Sequence, residues 1–266
     1  MTKVKGKVIW ITGASSGIGE ALVYELVNKK ARLIISARRQ KELERIKGTC
    51  PAEAQPDIKL LPLDLESSST LSLTTEAAVQ LFGHIDILIN NAGVSQRSFV
   101  KDTLPEVDRR IMEINYFGTI CLTKALLPHF LARKGGHIVN VSSITGRFGT
   151  PYRSAYAASK HALHGFFDSM RAELWKERIL ITMICPGFIN TPITLHAITG
   201  NGSPLNQRDE ANYKGKPAKW CARKIIRAIE RNKEEVNIGG YEVLGVYLKR
   251  FFPKLFSRVI RNVKVR

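Results

Sequence analysis

Short apolar runs alternate with longer amphipathic stretches along the first two thirds of the chain. The first run, 7–12, is mostly apolar and ends at a glycine, as is typical of a strand buried within a parallel sheet. Five later runs have the same character and are predicted strands: 31–37, 58–65, 85–90, 137–142 and 179–184. The stretches between them are predicted helices: 20–28, 40–47, a serine-capped helix toward Phe82, 104–133 and 156–176. Because strands joined by helices of this length form right-handed crossovers, the pattern predicts the α/β class, with one doubly wound parallel sheet covered by helices on both faces.

Residues 188–216 interrupt this alternation, since they are rich in Thr, Asn, Gly and Pro and carry little periodicity. A loop this long within a compact domain is usually functional or disordered. The segment directly follows the C-terminal end of the sixth predicted strand, the edge at which open α/β sheets bind ligands. We therefore predict a substrate lid, with a passive insertion as the alternative.

The length and composition fit one globular domain spanning residues 1–266. No stretch approaches the roughly 20 apolar residues that a membrane-spanning helix needs, and no signal peptide is recognisable. We therefore expect a protein of the cytoplasm, or one bound peripherally to an intracellular membrane. With 41 basic against 23 acidic residues, the net charge of +18 favours anionic partners, which include phosphate-bearing cofactors, acidic membranes and nucleic acid. Charge alone does not choose among them.

The four cysteines, Cys50, Cys121, Cys185 and Cys221, are widely scattered, with no Cys-x-x-Cys pair and no histidine at ligand spacing. This pattern favours free thiols packed in the core over disulfides, and we predict no metal site. Free thiols in turn indicate a reducing compartment.

A glycine-rich turn, Thr-Gly-Ala-Ser-Ser-Gly-Ile-Gly at 12–19, joins the first predicted strand to the first helix. Glycines at such a turn let the backbone approach a pyrophosphate closely, and the N-terminus of the following helix attracts the anion. A glycine-rich turn without a ligand is the alternative, but its place in a βαβ unit argues against it. We predict a dinucleotide cofactor held by Gly13, Ser15, Ser16, Gly17, Ile18 and Gly19.

The end of the second strand decides between NAD and NADP. An acidic residue there would bind the ribose 2′-hydroxyl, whereas this chain has Arg38 and Arg39. Because a planar guanidinium suits a phosphate, we predict NADP(H), with solvated surface arginines as the alternative. Further cofactor contacts are expected at the ends of the third and fourth strands, from Asp64, Asn91, Ala92 and Gly93.

Tyr156 and Lys160 lie four residues apart in a predicted helix, so their side chains share one face. A neighbouring positive charge favours the phenolate and lowers the pKa of a tyrosine from its usual value of about 10. The pair then provides a proton donor and acceptor near neutral pH, although this spacing also occurs on solvated helix faces.

Six motifs in this order and spacing resemble the short-chain dehydrogenase/reductase (SDR) family. They are Thr-Gly-x-x-x-Gly-Ile-Gly at 12–19, Asn-Asn-Ala-Gly at 90–93, Asn115, Ser143, Tyr156-x-x-x-Lys160 and Pro186-Gly187. The resemblance covers nearly the whole chain. It implies a single Rossmann domain, a small-molecule substrate, and a homodimer or homotetramer in which the helices 104–133 and 156–176 meet a second copy.

The resemblance also implies a role for each matching residue. Tyr156 would be the general acid for carbonyl reduction, or the base in the reverse direction, and Lys160 would lower its pKa and bind the nicotinamide ribose. Ser143 would hydrogen-bond the substrate oxygen, and strand alternation favours it over Ser142. Asn115 would bind a water linked to Lys160. Contacts with the nicotinamide side of the cofactor would come from Tyr156, Lys160, Pro186, Gly187, Ile189 and Thr191.

These residues together predict an NADP(H)-dependent oxidoreductase that interconverts a carbonyl and an alcohol on a lipophilic substrate, such as a steroid, a retinoid or another aldehyde or ketone. The expected substrate contacts are Ser143, Phe148, Tyr152, Phe188 and Ile193. For the apolar residues among them, the alternative is that they pack in the core. The alternative is a non-catalytic nucleotide-binding scaffold recruited to a membrane. Nucleic-acid binding is disfavoured, because no reading motif accompanies the charge.

The C-terminal residues 247–266 contain seven Lys and Arg and no acidic residue. An apolar stripe at helical spacing is formed by Leu255, Phe256, Val259, Ile260 and Val263, and it is flanked by Lys254, Arg258, Arg261 and Lys264. Such a basic amphipathic helix lies on an acidic membrane surface or packs on the body or on a second subunit. Both interpretations stay open, and peripheral membrane contact suits a lipophilic substrate.

Overall fold

A seven-stranded sheet forms the centre of the protein in a computed structural model, which describes residues 2–207 and 209–263. The strands are β1 (Val8–Thr12), β2 (Arg32–Ser36), β3 (Ile58–Leu60), β4 (Ile87–Asn90), β5 (Gly136–Val141), β6 (Ile179–Pro186), β7 (Ile189–Asn190), β8 (Lys216–Pro217) and β9 (Glu235–Ile238). The order in the large sheet is β3-β2-β1-β4-β5-β6-β9, and every pairing is parallel. The winding direction reverses between β1 and β4, which confirms the predicted doubly wound fold.

Helices cover both faces of this sheet. They are α1 (Gly17–Val27), α2 (Gln40–Thr49), α3 (Leu71–Phe82), α4 (Pro105–Met112), α5 (Gly118–Ala132), α6 (Ser154–Glu173), α7 (Glu210–Tyr213), α8 (Ala218–Glu230), α9 (Leu244–Phe251) and α10 (Pro253–Ile260). One apolar core lies between the sheet and α1, α2 and α8, and a second lies between the opposite face and α3, α5 and α6.

Strand β1 supplies both cores because its side chains alternate. Val8 and Trp10 point into the core under α3, α5 and α6, whereas Ile9 and Ile11 point into the other. All residues of β1 are buried, as expected at the centre of a parallel sheet. The Trp10 indole is satisfied, since its Nε1 donates to Ser36 Oγ at 2.8 Å.

Strand β3 is shorter than predicted. It ends at Leu60 rather than at residue 65, because Pro62 has no N–H to donate to a ladder. The chain nevertheless continues beside β2, with Leu61 N donating to Ile35 O at 3.1 Å and Leu63 N donating to Ala37 O at 3.2 Å.

The edge strand β9 was not predicted, and neither was α8. Most of β9 is only half-buried, with Glu235 and Asn237 on either side of Val236, so it lacks the apolar run of a central strand. Its pairing with β6 extends the sheet beside the sixth predicted strand.

The predicted helix 104–133 is divided. Helices α4 and α5 are joined by a π-helical turn, Glu113–Phe117, which carries Asn115 on its buried side. Such turns insert an extra residue into a helix and are frequent at functional sites.

The described part of residues 188–216 is more regular than predicted. It contains β7, β8, a 3₁₀ turn at Pro192–Thr194 and α7. Ile198 is buried and receives backbone support from two sides, because its N donates to Ser95 O at 2.8 Å and its carbonyl accepts from Arg97 N at 2.9 Å. Its action as a substrate lid stays a prediction.

The C-terminal apolar stripe is split between the body and the surface. Phe256 is buried against Phe148, with ring centroids 5.1 Å apart, and Ile260 packs on the same cluster. Leu255 and Val259 are about half exposed. One side of the segment therefore packs on the body, and its contact with a membrane or a second subunit stays a prediction.

Of the predicted basic residues around this stripe, Lys254, Arg258 and Arg261 belong to the described chain, whereas Lys264 lies outside it. Across the described ranges, no helix combines the length and the apolar character needed to cross a bilayer.

Gly118 begins α5 and allows this helix to touch the chain beyond β3. A Cβ there would overlap the Leu65 carbonyl oxygen and lie 2.7 Å from Leu65 Cβ. We expect Gly118→Ala to lower the free energy of unfolding by about 1–3 kcal/mol, because the helix or the strand end must shift. Each kcal/mol should lower the Tm by roughly 2–4 °C in scanning calorimetry.

Gly48→Ala is the matched control. Gly48 lies inside α2, and a Cβ there would meet no atom within 4 Å. This variant should be neutral or stabilised by about 0.5–1 kcal/mol. An equal Tm for the two variants would contradict the packing argument.

Candidate active site

A cavity of about 1040 Å³ lies at the C-terminal ends of β1, β2, β4, β5 and β6. It brings together nearly all of the predicted cofactor residues: Gly13, Ser15, Ser16, Gly17, Ile18, Arg38, Arg39, Asp64, Asn91, Ala92, Gly93, Pro186, Gly187, Ile189 and Thr191. Ser143, Tyr156 and Lys160 line the same cavity. Gly19 and Asn115 are buried behind the lining residues.

Thr12 joins the ends of β1 and β4. Its hydroxyl accepts hydrogen bonds from the backbone N–H groups of Asn91 and Ala92, each at 3.1 Å. The Asn91 side chain donates in return from Nδ2 to the carbonyl oxygens of Thr12 and Gly13, also at 3.1 Å each. These bonds hold the glycine-rich turn against the Asn-Ala-Gly segment, so both flank the same part of the cavity.

The glycine-rich turn fits a pyrophosphate. Gly13 and Gly17 have φ angles of +66° and +60°, which glycine adopts without strain. A Cβ on Gly13 would lie 2.6 Å from Ala92 Cα, so no side chain fits there. Helix α1 begins at Gly17, and Ser16 at its N-cap makes no side-chain capping bond. The partial positive charge of the helix N-terminus is therefore directed at the cavity.

Arg38 and Arg39 are exposed at the rim of the cavity beyond β2. No acidic residue stands between Ser36 and the start of α2, so the residue type that selects NAD is absent from this stretch of sequence. Asp64 lines the same cavity, and its Oδ1 accepts from Glu66 N at 3.1 Å.

Asn115 ties three segments together from within the π turn. Its Nδ2 donates to Val94 O at 2.9 Å and to Ser159 Oγ at 3.0 Å, and its Oδ1 accepts from Val94 N at 2.8 Å. A Cβ on Gly93 would lie 3.0 Å from Asn115 Oδ1 and 3.5 Å from Lys160 Nζ, so this glycine keeps the space beside both atoms open. The water-binding role of Asn115 stays a prediction.

Lys160 is buried, with its Nζ donating to Val141 O at 3.0 Å and lying 5.8 Å from the centroid of the Tyr156 ring. Burial disfavours the ammonium and lowers the pKa of Lys160 to about 8, while the interaction with Cys185 acts in the opposite direction. Lys160 therefore exchanges its proton near neutral pH more readily than a solvated lysine does.

Ser143 is oriented by Thr145. Its Oγ accepts from Thr145 N at 3.1 Å and from Thr145 Oγ1 at 2.9 Å, while its own proton is directed at Pro186 O, at 3.4 Å, or at the Tyr156 hydroxyl. Ser142 turns the other way and donates to Lys160 O at 3.3 Å. The two serines thus point to opposite sides, as strand alternation predicted.

Tyr156 is buried in the cavity wall, and this burial raises its pKa above the ordinary 10.0. The charge of Arg153, a hydrogen bond with Ser143 and the charge of Arg97 lower it, in that order of effect. The sequence pointed to Lys160 as the neighbouring charge, and neither arginine was predicted.

Arg97, Arg153 and Asp209 form a buried charge cluster beside Tyr156. The Asp209 carboxylate accepts from Arg97 Nε at 2.7 Å, from Arg97 Nη2, and from Arg153 Nη2 at 3.4 Å. All three residues are more than nine-tenths buried. They belong to three distant segments, so no spacing in the sequence could have revealed the cluster.

Glu242 is a second residue that sequence reasoning missed. Its Oε1 accepts from Phe188 N at 2.9 Å and from Gly240 N at 3.0 Å. A Cβ on Gly187 would overlap this carboxylate. Glu242 therefore fixes the turn after β6 that carries the predicted nicotinamide contacts.

Phe148, Phe188 and Ile193 line the cavity, where substrate contacts were predicted. Tyr152 does not belong to the residues that line the cavity, so its contact with substrate stays a prediction. It has a φ angle of +65°, and its ring packs on Phe99 with centroids 4.1 Å apart.

The outer wall of the cavity comes from the C-terminal helices. Most of the side chains that α9, α10 and the residue between them contribute are apolar or aromatic: Leu244, Tyr247, Leu248, Phe251, Phe252, Phe256, Val259 and Ile260. The predicted amphipathic segment is therefore part of the site.

His164, Cys185 and Glu235 bring potential metal-ligand atoms within 4.8 Å of one another close to Lys160. Arg147 Nη1 already donates to Glu235 Oε2 at 3.0 Å. Burial lowers the pKa of His164 to about 4 and raises that of Cys185 to about 12, so both are uncharged at neutral pH. This arrangement fits a polar network packed behind Lys160.

A family model described as short chain dehydrogenase matches residues 7–200. Among curated proteins, the dehydrogenase/reductase SDR family protein 7-like of Anopheles gambiae is 41% identical over 267 residues, a match that covers 97% of this chain and 83% of that protein. The dehydrogenase/reductase SDR family member 7B of Bos taurus is 40% identical over 265 residues, covering 97% of this chain and 82% of that protein.

Solved structures agree in fold. A short chain dehydrogenase/reductase from Burkholderia phymatum in complex with NAD gives a TM-score of 0.84 at 23% identity and covers 96% of both chains. A short chain dehydrogenase from Burkholderia cenocepacia in complex with NADP gives 0.79 at 23% identity, covering 98% of this chain and 100% of that one. Together with the family match and the relatives at about 40% identity, these findings show that the chain belongs to the short-chain dehydrogenase/reductase family of oxidoreductases.

Proposed function

We propose that the protein is an NADP(H)-dependent oxidoreductase that interconverts a carbonyl and a secondary alcohol on a lipophilic substrate. The observation that carries this proposal is the position of Ser143, Tyr156 and Lys160 in the wall of the cavity that the glycine-rich turn also lines. A site for a dinucleotide and a set of groups able to move a proton thus share one enclosed space.

NADP(H), when bound, supplies or accepts the hydride. In the reductive direction the Tyr156 hydroxyl donates its proton to the substrate oxygen. Ser143 donates a second hydrogen bond to that oxygen, because its two Thr145 contacts use its acceptor capacity and leave its own proton for the substrate. These two donors stabilise the negative charge that develops on the oxygen.

Lys160 restores the proton that Tyr156 gives up. One of its three N–H bonds is directed at Val141 O, so the other protons are available for the cofactor ribose and for transfer. A pKa of about 8 suits a group that gains and loses a proton in each cycle.

The outer cavity supports a lipophilic substrate. Phe148 and the side chains of α9 and α10 present an apolar wall beside the reacting groups. Such a wall favours the ring or chain of an apolar ketone or aldehyde through burial of its surface.

We also propose that the C-terminal helices rest on an acidic membrane surface. Phe251 and Phe252 line the cavity and are 68% and 62% exposed. Exposed apolar patches of this kind mark surfaces that contact a partner or a membrane. The same two helices carry Lys249, Arg250, Lys254 and Arg258 and no acidic residue, which favours anionic lipid headgroups. The family's tendency to form homodimers and homotetramers makes a second copy the competing partner.

Replacing Tyr156 tests the acid–base role. We expect Tyr156→Phe to lower kcat by about 10²-fold or more, because the proton donor is lost while the ring remains. The measurement is NADPH oxidation with a panel of apolar ketones and aldehydes. Tyr24→Phe is the control, since it removes a hydroxyl that bonds to Glu20 at 2.9 Å, and neither residue lines the cavity.

Undiminished turnover in Tyr156→Phe would overturn the acid–base assignment. Cofactor binding without turnover on any carbonyl in the parent protein would favour the non-catalytic scaffold instead.

Replacing Arg38 or Arg39 tests the cofactor preference. We expect NADP⁺ to raise the Tm of the parent more than NAD⁺ does, and the Kd for NADP⁺ to rise at least about tenfold in the responsible variant, Arg38→Ala or Arg39→Ala. Lys41→Ala on α2 is the control for loss of one positive charge. Equal stabilisation of the parent by both cofactors would contradict the NADP(H) assignment.

Vesicle sedimentation tests the membrane contact. We expect the protein to bind phosphatidylserine-containing vesicles more than phosphatidylcholine vesicles, and to dissociate as salt rises, because exposed charges are screened. Lys254→Glu with Arg258→Glu should abolish binding, whereas the same charge change at Lys41 and Lys47 on α2 should not. Unchanged vesicle binding by the Lys254→Glu and Arg258→Glu protein would refute the proposal, as would a dimer in analytical ultracentrifugation that these two substitutions dissociate.

A further inference from the structure

Arg97, Arg153 and Asp209 form a buried charge cluster in which both guanidinium groups bond to the same carboxylate oxygen of Asp209. Burial and then the charge of Arg97 lower the pKa of Arg153, yet only to about 10, so the residue keeps its charge at neutral pH. Two positive charges held this close together in a buried place are costly, and groups of opposite charge beside them reduce that cost.

The cluster is fixed to the helix that carries Tyr156. Arg153 directly precedes α6, one helical turn before Tyr156, so the two residues are neighbours on that end of the helix. Gln96, in the segment after β4, bonds to the first turn of α6: its Oε1 accepts from the backbone N–H groups of Ala155 at 2.8 Å and of Tyr156 at 3.3 Å. These bonds also hold Arg97, the residue after Gln96, beside the first turn of α6. Both Arg97 and Arg153 line the cavity.

The other titratable groups around Tyr156 include Lys160, which has a pKa of about 8 and is therefore still mostly protonated at neutral pH. Behind it, burial keeps His164 and Cys185 uncharged, with pKa values of about 4 and 12. His196 and Glu242 line other parts of the cavity, and Glu242 is engaged by Phe188 N and Gly240 N.

We propose that Arg153 and Arg97, balanced by Asp209, form an electrostatic subsite that stabilises negative charge on the Tyr156 hydroxyl. Arg153 is then a positioning residue that acts through Tyr156, and the segment before α7 helps to set the ionisation of that tyrosine through Asp209. This inference rests on the proposed acid–base function of Tyr156.

The geometry explains why the subsite is needed. Tyr156 is buried in the cavity wall, and burial by itself makes its phenolate unfavourable. The field of a charge is strong in such a place, because little water screens it. Arg153 is the charge that most lowers the pKa of Tyr156, ahead of the Ser143 hydrogen bond and Arg97.

Three substitutions distinguish this electrostatic role from a purely structural role, in which the cluster only holds its three segments together. Arg153→Gln removes the charge, Arg153→Lys keeps it, and Asp209→Asn removes the balancing negative charge while keeping an acceptor for Arg97. The titration of Tyr156 is followed by NMR in protein labelled with ¹³C at tyrosine Cζ, with and without NADP⁺. Tyr156→Phe identifies its signal among the seven tyrosines.

We expect the pKa of Tyr156 to rise by about one unit in Arg153→Gln, to stay near the parent value in Arg153→Lys, and to fall in Asp209→Asn. The pH profile of alcohol oxidation should move in the same directions, with about tenfold slower oxidation by Arg153→Gln below its pKa. If the cluster had only a structural role, Arg153→Gln and Asp209→Asn would disrupt it in the same way. Shifts of the Tyr156 pKa in opposite directions therefore support the electrostatic subsite.

Shifts in the same direction for Arg153→Gln and Asp209→Asn, or no shift in either, would overturn the inference. Because the NMR titration needs no turnover, this result is reached even for a protein without carbonyl activity. The failure of the proposed function, which Tyr156→Phe detects as unchanged turnover, is thus distinguished from a failure of the subsite.

Discussion

The side-chain amide of Asn115 joins three segments of the candidate active site. It bonds to both backbone groups of Val94 and to the hydroxyl of Ser159, and it thereby joins the loop after β4, the π turn and helix α6. Both of its protons are used, so any rotation would leave buried polar groups without partners. Lys160 is the residue after Ser159, and its position relative to the β4 loop depends on this one amide. The π turn is the local distortion that allows Asn115 to point inward from an otherwise regular helix.

Burial shapes the chemistry of the site as much as its geometry does. The same enclosure raises the pKa of Tyr156 above its ordinary 10.0 and lowers that of Lys160 to about 8. The two effects move the pKa of the lysine toward neutral pH and that of the tyrosine further from it. Positive charge from Arg153 and Arg97 opposes the second effect, which is why a pair of buried arginines is consistent with an acid–base role beside them. The negative charge of the Asp209 carboxylate offsets the repulsion between the two guanidinium groups.

Local patterns predicted most of the sheet and much of the site. The central strands are apolar because helices cover both faces, so β1, β4, β5 and β6 stand out in the sequence. Edge strands lack that constraint: β3 stops early at Pro62, and β9 is too polar to be recognised. The turn at 12–19 and the pair Tyr156 and Lys160 are visible because their spacing is local. The left-handed backbone of Tyr152 and the packing of its ring on Phe99 leave no mark in the residue type.

The sequence by itself determined the fold class and the residues at the ends of the central strands, because periodicity and glycine positions follow from the geometry of neighbouring residues. The tertiary structure alone decided which distant groups meet. Arg97, Arg153 and Asp209 come from three separate segments, and Glu242 reaches the turn after β6 from the far end of the chain. Helices α9 and α10 complete the cavity by the same long-range packing. Such contacts depend on how the layers close around one another, which no short stretch of sequence encodes.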